Sequence, residues 1–193
     1  MSPTDQEIID DIKRGKKYLY AKIIERYKDK GFGLAMRILR NREDAEEAIQ
    51  DAFVRAYNGL GKFEGKSKFG TWFYRIVYNV CLSKLALRKD KATTIEFGVD
   101  EDAEISSDEW QNISSSQQYE SKETLELIRK SVDRMPEKYG IILSLFYFKE
   151  LSYEEIGAIL DLPAGTVKSH LFRARTMLRK QLADQYHLDG ATA

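Results

Sequence analysis

Residues 152–180 read SYEEIGAILDLPAGTVKSHLFRARTMLRK, and this stretch decides the fold. Ser152 and Glu155 have the spacing of a capping box, with the hydroxyl on the Glu backbone N–H and the carboxylate back on the Ser backbone N–H. Ile156, Ile159 and Leu160 then recur at helical spacing, and Pro163 and Gly165 break the chain. A second helix follows with Val167, Leu171, Ala174 and Leu178 on one stripe. Its other faces carry Lys168, Ser169, His170, Arg173, Arg175, Arg179 and Lys180. Any helical hairpin has an apolar stripe and a solvated charged face. Three details favour DNA: the turn is short, no acid occurs from Pro163 to Ala183, and small polar residues accompany cations in the first turn. The stretch reads as a helix-turn-helix whose second helix enters a major groove.

The rest of the chain sets the context. Its 193 residues suffice for one large or two small domains. Charged residues make up 32% and only three prolines occur, which suits an all-α protein. The formal net charge of zero hides a pattern. Residues 1–90 carry 19 Lys and Arg against 13 Asp and Glu, residues 91–120 carry 1 against 8, and residues 121–193 carry 11 against 10. Positive charge is confined to stripes, and a DNA-coating protein would be basic throughout. The single cysteine, Cys81, excludes an internal disulfide framework and reads as a small buried hydrophobe in a reducing compartment. No secretory signal and no membrane-length apolar run is apparent, so a cytoplasmic location is expected.

Along the chain, a short helix is expected over 5–14 and another from Tyr18 to Lys28, with Gly31 and Gly33 loosening the chain before Leu34–Leu39. Asn41 caps the next helix, whose first turn holds Glu43, Asp44, Glu46 and Glu47 where the helix dipole favours them. There Ala45, Ala48, Ile49, Ala52, Phe53, Ala56 and Tyr57 form an apolar stripe. A Gly- and Lys-rich loop (58–70) leads to a helix from Thr71 to Arg88. Trp72, Phe73, Ile76, Val77, Val80, Cys81 and Leu85 form its buried face. Arg75, Asn79 and Ser83 form a polar stripe, with Tyr74 and Tyr78 as aromatic surface beside it. Residues 91–121 lose helical period and read as a flexible acidic linker. Helical pattern returns over Glu123–Met135, ends at Pro136, and resumes in the apolar run Glu137–Phe148.

Lys62, Phe63, Lys66, Lys68, Phe69, Trp72, Tyr74 and Arg75 interleave cations with aromatics. Cations follow phosphates and aromatic faces stack on unpaired bases, a pairing that single-stranded or opening DNA rewards. Phe69 and Phe73 read better as core, Trp72 stands between core and stacking, and Lys66 and Lys68 suit phosphates.

Three stretches together resemble an extracytoplasmic-function (ECF) sigma factor of bacterial RNA polymerase. They are AEEAIQDAFVRAYNGLGKF (45–63), KFGTWFYRIVYNVCLSKL (68–85) and LSYEEIGAILDLPAGTVKSHLFRARTMLRKQL (151–182). They occur in family order and, with the linker, the resemblance covers about Tyr20 to Leu182. It implies an all-α fold of two small helical domains: a sigma region 2 bundle over 1–90, a flexible acidic linker over 91–121, and a sigma region 4 helix-turn-helix domain over 122–193. The implied function is promoter-specific transcription initiation with core polymerase. The implied partners are that core enzyme (the clamp coiled coil of its largest subunit, and its flap), promoter DNA and an anti-sigma factor, with no cofactor, metal, small-molecule substrate or catalytic residue. Carried over by position, Glu47, Gln50, Asp51 and Arg55 dock on core polymerase. Lys66, Lys68, Trp72, Arg75 and Asn79 serve the minus-ten element, which is read as captured single strand. Thr166, Lys168, Ser169, Phe172 and Arg173 serve the minus-thirty-five element, which is read as duplex. The acidic linker matches the family segment that threads the RNA-exit path.

The chain departs from the family pattern at Ser83, where many members carry Asp, and at Lys168 and His170, where many carry Arg. Lys cannot reproduce the bidentate fork of Arg on guanine, so a different minus-thirty-five preference is expected. Two other readings compete. A stand-alone helix-turn-helix regulator explains residues 151–182 but not the basic-aromatic loop. A helical interaction module with incidental charge predicts no DNA dependence. Only His170 and His187 are available as imidazoles, and neither sits near Cys81 or a carboxylate pair in sequence, so no catalytic constellation is read.

Overall fold

The computed structural model describes residues 3–88, 95, 97, 128 and 130–190, with backbone alone at 148 and from 185 onward. Among them every regular element is helical. Helix α1 (Asp5–Lys13) opens on a Thr4–Glu7 capping box and buries Ile8, Ile9 and Ile12. A short 3₁₀ turn (Lys17–Leu19) leads into α2 (Tyr20–Leu39). Arg40, in the left-handed region at φ 50°, ends α2. Asn41 then starts α3 (Arg42–Gly59) by accepting the Asp44 N–H at 2.9 Å. A 3₁₀ turn (Leu60–Lys62) and an exposed loop precede α4 (Phe69–Leu87).

The second half begins with a helical turn at 130–133 and continues through Pro136 into α5 (Glu137–Leu143). A π-helical turn (Ser144–Phe148) follows. Helix α6 (Tyr153–Leu160) and α7 (Ala164–Gly190) form the helix-turn-helix. Both capping-box bonds form at the start of α6: Ser152 N–H to Glu155 at 2.9 Å and Glu155 N–H to Ser152 Oγ at 3.2 Å. Asp161, at φ 59°, turns the chain sharply, and the Leu162 N–H closes on the Gly157 carbonyl at 3.0 Å. A side chain on Gly157 would run into the Leu162 carbonyl oxygen, so this turn needs glycine.

Four sequence expectations change. Helix α2 runs unbroken through Gly31 and Gly33. Gly31 is buried where the Ile49 and Phe73 side chains close on the α2 backbone, so its role is close helix approach rather than a break. Tyr74 and Tyr78 are core residues rather than aromatic surface, and burial pushes the Tyr78 phenol up to about 12. His170 faces the interior at 1% exposure, with its ring edge-on to Tyr139 at 6.0 Å. It therefore belongs to the packed side of α7 and not to the groove-facing side. Finally, α7 continues through Gly190, past the expected tail boundary at 183. The linker expectation for 91–121 lies outside the described residues, apart from Ile95 and Phe97. So does the part of the Glu123–Met135 helix before 128.

The core is continuous across the molecule. Leu34, Ile38, Ala52, Phe53, Phe73 and Val77 of α2–α4 belong to the same buried cluster as Ile141, Ile142, Ile156, Ile159 and Leu171 of α5–α7. Phe73 stacks on Phe53 at 4.7 Å and on Phe69 at 5.9 Å. Cys81 is fully buried; desolvation pushes its thiol up to about 12 against the pull of Lys84, which suits packing and not chemistry.

Candidate nucleic-acid interface

Three polar faces emerge from this scaffold. The first is the loop before α4 and the exposed stripe of α4. Phe63 and Phe69 are buried, and Trp72 rests half-buried against both, at ring separations of 5.0 and 5.6 Å. Gly59 makes room for that indole: a β-carbon there would sit 3.1 Å from it. Trp72 is thus core on one side and surface on the other. Lys66 is exposed and paired with Glu64. The loop is braced from α1, since Lys13 Nζ donates to the Phe63 carbonyl at 2.6 Å. Gly65 takes φ 73° with the Gln6 side chain against it.

Arg75 and Asn79 are exposed on successive turns of α4. The Ser83 hydroxyl donates to the Asn79 carbonyl at 2.9 Å, so the position where many family members carry Asp here folds back on its own helix. Lys68 points elsewhere. Its ammonium lies 3.2 Å from Glu155 of α6, and the buried Thr71 hydroxyl donates to the same carboxylate at 3.1 Å. Burial pushes the Glu155 carboxyl up. Its bonds from Ser152, Lys68 and Thr71 outweigh that and hold it below its usual value. A cleft of about 570 Å³ opens beside this contact, lined by Arg26, Tyr27, Lys68, Thr71, Tyr74 and Lys149 among others.

The second face is on α3, where Glu47, Gln50, Asp51 and Arg55 are all exposed. Positions 47, 50, 51, 54 and 55 share one side of a helix. The structure adds Val54 to them, an apolar side chain left 61% exposed at the centre of the charged group. The sequence signal was present: Val54 is the one aliphatic residue of this helix off the alanine stripe. Glu47 is fastened to Lys84 of α4 at 2.8 Å.

The third face is on α7. Lys168 is exposed, and Thr166, Ser169, Phe172 and Arg173 are half-buried beside it. The Ser169 hydroxyl donates to the Gly165 carbonyl at 3.2 Å. Val167, Leu171 and Ala174 seal the opposite side. Arg175 is not a free groove cation: its guanidinium lies over Phe146 at 5.0 Å and Tyr147 at 5.3 Å. The five α7 residues expected at DNA therefore share a side, as do the four on α3. Those expected at the minus-ten element divide, with Arg75 and Asn79 open and Lys68 engaged by α6.

Among the described residues no group of three His, Cys, Asp or Glu can hold a metal, and no helix is long and apolar enough to cross a membrane.

Comparison with known proteins agrees with this geometry. The Sigma-70 region 2 family model matches residues 23–93, and the Sigma-70 region 4 model matches residues 125–178. The chain is 35% identical over 181 residues to the ECF RNA polymerase sigma factor SigW of Bacillus subtilis, covering 91% of this chain and 95% of that protein. It is 32% identical over 175 residues to the ECF RNA polymerase sigma-E factor of Escherichia coli K12, covering 89% and 91%. The fold is shared with CnrH, solved with the cytosolic domain of CnrY, at TM-score 0.64 and 18% identity over 94% of this chain and 99% of that one. It is also shared with the sigma factor RpoE of Bartonella quintana, solved with the anti-sigma factor NepR, at TM-score 0.63 and 22% identity over 85% and 96%. Two separately matched regions, in family order and spanning most of the chain, leave one conclusion: the chain belongs to the ECF RNA polymerase sigma factors.

Proposed function

We propose how the three faces divide the work of a sigma factor that directs promoter-specific transcription initiation with core polymerase. The α3 face (Glu47, Gln50, Asp51, Val54, Arg55) docks on the core enzyme. Arg75, Asn79 and the Trp72 edge take the opened minus-ten strand, with Lys66 and Lys68 on its phosphates. Thr166, Lys168, Ser169, Phe172 and Arg173 read the minus-thirty-five duplex. Residues 1–90 and 122–193 are the two working domains, with 91–121 as linker.

The observation that supports this reading is that one chain presents two unlike cationic faces. One is a basic-aromatic loop and polar helix stripe, suited to unpaired bases. The other is a cationic second helix of a helix-turn-helix, suited to a major groove. A stand-alone regulator needs only the second. The protein performs no catalysis of its own; base readout and strand capture position the core enzyme's active site. An anti-sigma factor is a further partner, as the two structural relatives solved with partner proteins suggest.

Run-off transcription with bacterial core polymerase on promoter-bearing fragments tests this reading. Wild type yields defined, protein-dependent transcripts. Arg173→Ala lowers them about 5- to 160-fold, the equivalent of one major-groove contact of about 1–3 kcal/mol, while core binding in a pull-down stays at the wild-type level. Asp51→Lys lowers core binding in the pull-down, and the transcripts fall with it. Equal loss of both activities in Arg173→Ala, or wild-type core affinity in Asp51→Lys, rejects the division of labour. Duplex binding without any transcripts points to the stand-alone regulator.

A further inference from the structure

One cationic surface takes no part in the three faces. It lies at the turn between α1 and α2, where residues 13–22 read KRGKKYLYAK. The turn is built to hold its shape. Gly15, at φ 105°, redirects the chain after α1. The Lys16 N–H closes on the Asp11 carbonyl at 3.0 Å, and the Leu19 N–H on the Lys16 carbonyl at 3.0 Å. The next two side chains go inward. Leu19 packs against the core, while Tyr20 meets the Tyr57 ring at 4.9 Å and donates its hydroxyl to the Phe53 carbonyl at 2.7 Å. Tyr18 is instead held out at 75% exposure.

The charge around Tyr18 is positive and uncommitted. Lys17, Lys22 and Lys62 are exposed and enter no ion pair among the described residues. The acids nearest in sequence are already engaged: Asp11 by Lys16 at 3.1 Å and Arg14 at 3.5 Å, and Glu25 by Lys28 at 2.8 Å. Lys62 belongs to this surface because its turn packs on α1 and because Lys13, the last residue of α1, donates to the Phe63 carbonyl at 2.6 Å.

Cations beside a solvent-facing aromatic ring suit an unpaired strand, since phosphates follow the charge and a base stacks on the ring. The position fits as well. RNA synthesis starts downstream of both promoter elements, so strand separation at the minus-ten element has to continue toward the start site. A strand laid along Asn79, Arg75 and the Trp72 edge reaches the loop before α4, and Lys13 ties that loop to the end of α1. Lys62 and the α1–α2 turn are the next surface along it. The turn is braced beforehand, so little ordering is needed when the strand arrives.

We propose that Tyr18, with Lys17, Lys22 and Lys62 around it, binds the unpaired DNA strand just beyond the minus-ten element, on its start-site side. Tyr18 stacks on a base and the lysines meet phosphates. Such a site tolerates any sequence, because every base has a stacking face. The inference rests on the promoter-recognition reading, which supplies the opened strand.

Fork-junction DNA, built on a promoter found from the run-off transcripts, tests the site with the protein assembled on bacterial core polymerase. In the short fork the unpaired strand ends with the minus-ten element; in the long fork it continues toward the start site. Tyr18→Ala binds the short fork as wild type does and the long fork about 5- to 160-fold more weakly, the equivalent of one base stack of about 1–3 kcal/mol. Tyr18→Phe keeps the stacking face and binds both forks like wild type. Lys17→Gln lowers the salt slope of long-fork binding by about 0.7, one single-strand phosphate contact, and leaves the short-fork slope unchanged. Wild-type binding of the long fork by Tyr18→Ala overturns the site, and so does an equal loss on both forks. Loss of core binding by Tyr18→Ala in a pull-down makes the turn a protein contact and overturns it too. A wild-type protein that gives core no preference for either fork removes the promoter reading, and this site falls with it.

Discussion

Gly157, His170 and Glu155 show how single positions acquire roles that their residue types alone do not announce. Gly157 is helical and has no unusual φ, yet the Leu162 carbonyl packs against its α-carbon. Backbone cannot move aside as a flexible side chain can. Gly157→Ala is therefore expected to lower stability by about 1–3 kcal/mol, read as a shift of the urea midpoint with unchanged slope. His170 looks like a groove-facing cation when only the charge of its neighbours is considered. One step of the helix turns it inward, into contact with Tyr139 and Phe97. The absence of Arg there consequently leaves unchanged the exposed side of α7 that we propose meets DNA, whereas Lys168 lies on that side. Glu155 serves a local cap and a long-range contact with the same two oxygens.

At the level of elements, α6 depends on its cap more than a long helix would. It has only eight residues, and isolated short helices are marginal in water. Ser152→Ala is expected to cost about 0.5–2 kcal/mol and to soften the hinge side of the helix-turn-helix, seen as faster amide exchange in 153–160. Helix α1 lies before the matched region 2 segment, yet it supports that segment's loop through Lys13 and Gln6. Lys13→Met keeps the aliphatic stem but removes the donor to Phe63. Strand opening at the minus-ten element, followed by permanganate reactivity of unpaired thymines, is expected to fall severalfold while core binding is retained. Equal opening by the variant would deny α1 that supporting role.

At the scale of the whole molecule, the packing of α6 on α4 carries an acid dependence to which Glu155 contributes. The folded-state pKa of Glu155 is depressed. Its contribution is therefore present at and above the ordinary Glu value of about 4.3, and it is lost as pH falls through the lower folded value. Stability toward urea is expected to keep this contribution from neutral pH to about 4.3 and to lose it on further acidification. Glu155→Gln, where no proton is taken up, should flatten that acid limb without removing it, because Asp133 and Glu137 also pair with arginines. Added salt should weaken these ion pairs in wild type, because Lys68, Arg40 and Asp133 are solvent-exposed charges.

Much of this protein could be read from one dimension. Periodicity placed the helices, the Ser152–Glu155 and Asn41 caps marked two of their starts, and the helix-turn-helix with its Val167–Leu171–Ala174 seam was legible outright. The α3 and α7 faces were equally legible, because residues three and four apart share a side of any helix. What the sequence could not supply were contacts between residues far apart in the chain. Gly31 reads locally as a breaker, and only the approach of Ile49 and Phe73 makes it a packing residue. Tyr74 and Tyr78 lie beside a polar stripe in sequence but are buried in space, Tyr74 with its ring edge against Tyr27 of α2. The union of Lys68 and Thr71 with Glu155, and of Arg37 with Asp133, joins positions more than 80 residues apart. Local propensity and periodicity act over a few turns of helix. Which charged face meets which other face is decided by how the helices pack, and that is where the tertiary structure alone speaks.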